Sequence, residues 1–262
     1  MSYQTILFEV GDDKVATVTI NRPDAMNSFT VQMCREFRDV WARVREDDAI
    51  HAVVLRAAPG RAFCTGVDVR SGENILMSDN LWSQVDPGEF LGPKANKVWK
   101  PVIAAVHGLC AGGALYWINE CDIVICSEDA QFFDPHVTYG IVSALEPIGL
   151  RQRVPLGEVL RMVLMGNDER IGADTALRIS LVSEVTALEA LWPRAHALAA
   201  TIAAKPAVAV QGSVRAIWES LDATRTAALQ MGLKYPQVGN AAGKEQVDRG
   251  AIMKSAKTFS VR

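Results

Sequence analysis

Two stretches of small residues stand where short apolar runs end: Ala62-Phe63-Cys64-Thr65-Gly66-Val67-Asp68 and His107-Gly108-Leu109-Cys110-Ala111-Gly112-Gly113-Ala114. Glycine carries no Cβ, so backbone at such points can come close to a ligand. Gly112 and Gly113 precede a run of helical character. Amides near Gly113 would then stand at a helix N-terminus, unpaired and favoured by the dipole for developing negative charge. The chemistry this serves is stabilisation of an oxyanion, and one such loop supplies half of the hole. Spacing alone fits equally two tight strand-to-helix turns with no ligand, because isolated glycine motifs are weak signals.

The elements that must hold these loops follow from hydrophobic periodicity. Residues 3–10 and 14–21 are rich in β-branched side chains and flank Gly11-Asp12-Asp13, which predicts an antiparallel hairpin. After Asn21-Arg22-Pro23-Asp24, Met33, Phe37, Val40, Trp41 and Val44 recur at helical spacing with charges opposite, predicting a surface helix packed on a sheet. The apolar runs 52–55, 101–106 and 123–126 alternate with a glycine-bearing loop and a helical stretch over 108–119. This order predicts right-handed βαβ units on a parallel core. Residues 71–100 lose periodicity and scatter Trp82, Pro87, Gly88, Pro93 and Trp99, as expected of a loop with one helical segment that covers substrate. From Glu158 the pattern is helical over 159–165, 174–179, 189–204 and from 207 onward, interrupted by a short strand at 181–185.

Composition narrows the function classes. A chain of 262 residues with 49% hydrophobic and 22% charged side chains suffices for one large α/β domain. A formal net charge of −3 gives no field to draw a polyanion, which argues against a nucleic-acid partner. Cys34, Cys64, Cys110, Cys121 and Cys126 show no CxxC or Cys/His ligand spacing, so buried free thiols of a reducing cytoplasm are expected, and no metal. Residues 1–10 lack the features of a targeting peptide, and runs such as 102–106 are too short for a bilayer; no membrane association is expected.

Taken in order, Asn21-Arg22-Pro23-Asp24-Ala25-Met26-Asn27-Ser28, the segments 62–68 and 107–114, and Cys121-Asp122-Ile123 resemble the enoyl-CoA hydratase/isomerase (crotonase) superfamily. The resemblance implies an α/β fold: a spiral of ββα units over residues 1–200 carrying an acyl-CoA site, and a helical region over 201–262 for oligomerisation and substrate covering. It also implies a homotrimer or homohexamer, an acyl-CoA thioester as substrate, and no cofactor beyond the coenzyme A of that substrate. By position, the thioester oxygen would accept hydrogen bonds from the amides of Val67 and Gly113. Ala25, Met26, Ala62, Phe63, Val67, Asp68 and Gly113 would line the coenzyme A site, mostly through backbone, although Asp68 fits equally as a loop or helix cap.

The family's hydratases place one glutamate three residues after the oxyanion-hole glycine and a second beyond the next strand. The corresponding residues here are Tyr116 and His136, the latter aligned through Ala130-Gln131-Phe132-Phe133-Asp134-Pro135-His136-Val137-Thr138-Tyr139-Gly140. An imidazole titrates near neutrality and can take a proton from carbon, whereas a phenol with a pKa near ~10 is suited to donating or orienting. His136 is therefore expected as base and Tyr116 as its partner, against competing readings of core packing for Tyr116 and structural hydrogen bonding for His136. Glu146, in Ser143-Ala144-Leu145-Glu146-Pro147-Ile148-Gly149 where the family has a glycine-rich turn, is a third acid–base candidate if desolvated and a helix cap if not.

The expected activity is enolate chemistry on an enoyl-CoA or related thioester, in lipid or carbon-source catabolism. Losing both glutamates weighs more on hydration, which needs two groups to split water, than on isomerisation, which needs one base. The alternatives are hydrolysis or C–C cleavage of a β-keto or cyclic CoA ester with His136 activating water, and an acyl-CoA-binding protein without catalysis.

Overall fold

In a computed structural model, which describes residues 3–254 and 261, the expected hairpin opens the main sheet. β1 (Ile6–Val10) runs antiparallel to β2 (Val15–Ile20). The strands β3 (Ala52–Ala57), β5 (Val102–Val106), β7 (Ile123–Ser127) and β10 (Glu184–Thr186) then add in parallel, giving the order β1-β2-β3-β5-β7-β10. β10 begins three residues later than the apolar pattern predicts, because Leu181 and Val182 are buried in the turn before it rather than paired in the sheet.

A second sheet holds β4 (Ala62–Cys64), β6 (Leu109–Ala111), β8 (Gln131–Phe133) and β9 (Ile171–Gly172) in that order. β4, β6 and β8 are parallel neighbours. The helix expected over 108–119 is corrected here: residues 109–111 are strand, Gly112–Ala114 form a 3-10 turn, and the helix spans only Leu115–Glu120. Pairing with β4 on one side and β8 on the other outweighs the weak helical preference of so short a segment.

The described residues form eleven helices: α1 (Val31–Glu46), α2 (Gly88–Leu91), α3 (Leu115–Glu120), α4 (Leu145–Leu150), α5 (Leu156–Met165), α6 (Ala173–Arg178), α7 (Leu188–Ala203), α8 (Ala207–Glu219), α9 (Arg225–Gly232), α10 (Lys234–Glu245) and α11 (Arg249–Lys254). α1 starts at Thr30, whose side chain accepts the Met33 N–H, and buries Met33, Phe37, Val40, Trp41 and Val44 as the periodicity predicts. Each such side chain contributes roughly 1.5–3 kcal/mol of burial. Against α1, Trp117 of α3 packs edge-on to Phe29 and Phe63 and tilted on Phe37, with ring centroids 6.0, 6.3 and 4.9 Å away. α7 covers the other face of the main sheet, Leu191, Ala195, Ala199 and Ala203 meeting Val54, Ile103 and Ile125.

The chain divides into two compact units after Ala203. Within the second, α8 and α10 pack closely through small residues, Gly243 lying against Ala209 and Gly239 against Val208. All five cysteines are buried free thiols. No single helix among the described residues is long and apolar enough to cross a membrane.

Candidate active site

Because β4, β6 and β8 run parallel side by side, the segments that follow them emerge at one end of the second sheet. They carry Gly66-Val67, Gly112-Gly113 and Asp134–His136, which are far apart in sequence. Phe29 N–H donates to Gly66 O (2.9 Å) and Asp68 N–H to Phe29 O (2.8 Å), a parallel bridge opposing Phe29 to Val67. In such a bridge the central residue's own N–H points to the far side, so the Val67 amide faces away from Phe29. Gly113 sits in the 3-10 turn, where the leading N–H groups of a helical segment have no partner within it.

The two loops touch. Gly66 has φ +85, and a Cβ there would lie 3.1 Å from Gly113 N and 3.2 Å from Ala111 O. A Cβ on Gly113 would fall 2.7 Å from the Phe29 ring. Both glycines are therefore required by close approach, independent of any ligand. Cys64 beside them is not a nucleophile: burial pushes its thiol up to about 12.

A chain of side chains faces these loops. Asp134, wholly buried, accepts the His136 N–H at 2.9 Å, sits 2.7 Å from His136 Nδ1, and accepts Ser143 Oγ–H at 2.6 Å. Burial alone would push the Asp134 carboxyl up, but the bonds from His136 and Ser143 outweigh it and hold the group low. An ionised carboxylate only accepts, so Nδ1 carries the proton and Nε2 is left for chemistry. Nε2 lies 3.8 Å from Glu146 Oε1. The hydrogen bond to Asp134 raises the His136 pKa against the effect of burial. Glu146, buried at the start of α4, has its pKa raised by desolvation first and by the charges of Asp134 and Asp86, partly offset by its own backbone and His136. Such an imidazole–carboxyl pair has the chemistry to hold and pass a proton. His136 also adjoins the glycine turn: a Cβ on Gly112 would lie 3.6 Å from its Cε1.

Tyr116, in the first turn of α3, completes the cluster. Its ring lies beside Gly113 and its hydroxyl donates to Asp86 Oδ2 at 2.8 Å. Burial, with the charges of Glu146 and Asp86, pushes the phenol far above its ordinary range, so it stays protonated. Asp86 lies in the segment that the sequence leaves as a loop. Its Oδ1 accepts the Gly88 N–H, the pattern of an aspartate ahead of Pro87-Gly88 at a helix start, and that was the available signal.

The remaining predicted residues gather at one edge of the same loops. Ala25 ends a 3-10 turn and Met26 follows at φ +54; buried Asn27 ties this turn to β4 by donating to Ala62 O at 2.8 Å. Phe63 is wholly buried in the core, and its N–H donates to His107 O at 2.9 Å. The Asp68 side chain is engaged within the protein, accepting from Arg22 Nη2 at 2.8 Å and from the Arg70 N–H at 3.1 Å.

The sequence model of the enoyl-CoA hydratase/isomerase family matches residues 11–253. The chain belongs to the enoyl-CoA hydratase/isomerase family. It is 35% identical over 203 residues to an (E)-benzylidenesuccinyl-CoA hydratase of Thauera aromatica, covering 77% of this chain and 78% of that one. It is 32% identical to a crotonyl-CoA hydratase of Syntrophomonas wolfei, covering 84% of each. A crystal structure of an enoyl-CoA hydratase/isomerase from Mycobacterium paratuberculosis superposes over all of both chains with a TM-score of 0.85 at 32% identity. Family membership makes the protein an enzyme of the hydratase/isomerase type and accounts for the parallel second sheet and the helical C-terminal region.

Proposed function

We propose that the protein converts an α,β-unsaturated acyl-CoA, or a closely related thioester, through an enolate held by the Val67 and Gly113 amides, with His136 and Glu146 moving the proton. The observation that carries this reading is the meeting of the two loops at Gly66 and Gly113 beside a histidine whose Nε2 faces a buried glutamate. Each fixed donor to the developing oxyanion is worth roughly 3 kcal/mol. Two proton-bearing groups restore what the missing glutamates would supply: one accepts a proton from water or carbon while the other delivers one. Relatives named as hydratases support water addition among the possible outcomes. Coenzyme A would lie along Ala25, Met26, Ala62, Val67 and Asp68, meeting mainly backbone.

A trimeric assembly, single or doubled, belongs to the same reading. Leu156, Leu160 and Leu164 form an exposed stripe on α5, and Ile217 on α8 is also exposed. Light scattering that returns a monomer at working concentration would count against it.

The activity is tested by incubating the protein with enoyl-, dienoyl- and β-keto-acyl-CoAs in deuterated water and analysing products by mass spectrometry. Deuterium at carbon or added water is expected, and His136→Ala should slow the reaction by about 10²–10⁴-fold. Release of free coenzyme A would instead support hydrolysis by a His136-activated water, a reading that the Asp134–His136 dyad also accommodates. Tight binding with no change in any thioester would leave a binding protein.

A further inference from the structure

Asp86 takes no part in the proton transfer just described, yet both its oxygens are engaged. Oδ1 accepts the Gly88 N–H at 2.8 Å and Oδ2 accepts the Tyr116 hydroxyl at 2.8 Å. A carboxylate is acceptor only, so the single phenolic proton points at Asp86 and the phenol oxygen keeps only its lone pairs for other neighbours. Glu146 Oε1 instead lies 3.8 Å from His136 Nε2. If Tyr116 were free to rotate its proton, it would compete with Glu146 as donor to the substrate.

We infer that Asp86 is a positioning residue: it fixes the direction of the Tyr116 hydroxyl so that the phenolic proton is committed to Asp86, leaving Glu146 and not Tyr116 as the group that gives up a proton beside His136. This rests on the enolate reading. The Tyr116 proton runs to Asp86, and the loop of residues 71–100 thereby contributes a residue that acts on the proton carrier from a distance. His136 Nε2 faces Glu146 at 3.8 Å, the charges of Asp134 from the segment after β8 and of Asp86 from the loop also bear on it, as Glu146 bears on Tyr116 of α3, and Asn119 Nδ2 donates to the Glu146 backbone oxygen. The negative charge of Asp86 raises the Glu146 pKa. Replacing Asp86 by a neutral residue lowers it, so the limb of the rate profile on which activity falls as Glu146 loses its proton moves to lower pH.

Asp86→Asn is the sharp test, because asparagine still caps α2 and preserves the local fold while its amide no longer dictates the direction of the hydroxyl. In the deuterium-exchange assay, kcat is expected to fall about 10–100-fold with KM little changed, and the high-pH limb to move down. Tyr116→Phe, which keeps the Asp86 charge, should leave that limb in place. A second readout does not depend on turnover: a downfield, slowly exchanging hydroxyl proton of Tyr116, identified by its loss in Tyr116→Phe, should be present in the unaltered protein and lost or shifted upfield in Asp86→Asn. An unchanged pH profile in Asp86→Asn, or a hydroxyl resonance absent from the unaltered protein or indifferent to Asp86, overturns the assignment. No exchange by the unaltered protein on any thioester would contradict the enolate reading alone; the hydroxyl resonance would then still decide whether Asp86 orients Tyr116.

Discussion

Val67 and Gly113 are positioned by strand pairing and a glycine-to-glycine contact, whereas His136 and Tyr116 are positioned by side-chain hydrogen bonds to Asp134 and Asp86, with Glu146 3.8 Å from His136. The backbone half moves only if the second sheet moves. The side-chain half depends on protonation states and on a loop outside both sheets. In the proposed reaction, one half would supply a fixed dipole for whichever thioester enters, and the other would set which proton moves and at what pH.

The largest expected effect breaks both halves together. Trp117→Ala removes the ring packed against Phe29, Phe37 and Phe63 beneath the loops, and should cost about 3–5 kcal/mol of stability in denaturant unfolding. Gly66→Ala should damage the backbone half alone. Its Cβ would press on Gly113 N, and turnover should fall roughly 10²–10³-fold while the His136 titration seen by NMR stays in place.

Asp134→Asn should do the reverse, cutting kcat by about 10²-fold by loosening the imidazole while the oxyanion loops are untouched. Without the carboxylate, the His136 pKa should drop. In the unaltered protein His136 is raised and Asp134 depressed. Their pairing therefore adds stability between the two titrations: it fades as pH rises through the folded His136 pKa and as it falls through that of Asp134. Asp134→Asn should remove this pH dependence from the unfolding midpoint. The smallest effect belongs to Asp68→Ala, which breaks a partly exposed pair with Arg22 and should cost about 1 kcal/mol or less with kcat unchanged.

The two halves also differ in how far the sequence discloses them. Gly66, Gly112 and Gly113 announce themselves because close approach forbids a side chain, and α1 and the first hairpin are legible because each has a clear period. The strand at 109–111 is not legible because three residues are too few to show a period; partners more than twenty residues away, at Ala62–Cys64 and Gln131–Phe133, determine its state. Tyr116, His136 and Glu146 are legible as candidates, and His136 and Tyr116 as partners, but not the contacts that hold them: His136 Nε2 faces Glu146, and the Tyr116 hydroxyl is held by Asp86, thirty residues earlier. The role of Asp134 is not legible in the sequence, because a buried aspartate two residues before a histidine becomes an orienting group only once the 3-10 turn folds it back.

The central claim is that the Val67 and Gly113 amides polarise a thioester carbonyl. Its most direct test is isotope-edited infrared spectroscopy of an acyl-CoA carrying ¹³C at the thioester carbonyl, bound to the protein with His136→Ala in place to prevent turnover. The account predicts a carbonyl band at lower frequency than in solution, returning toward the solution value in the Gly66→Ala, His136→Ala double variant. A bound band at the solution frequency, unchanged by Gly66→Ala, would contradict it.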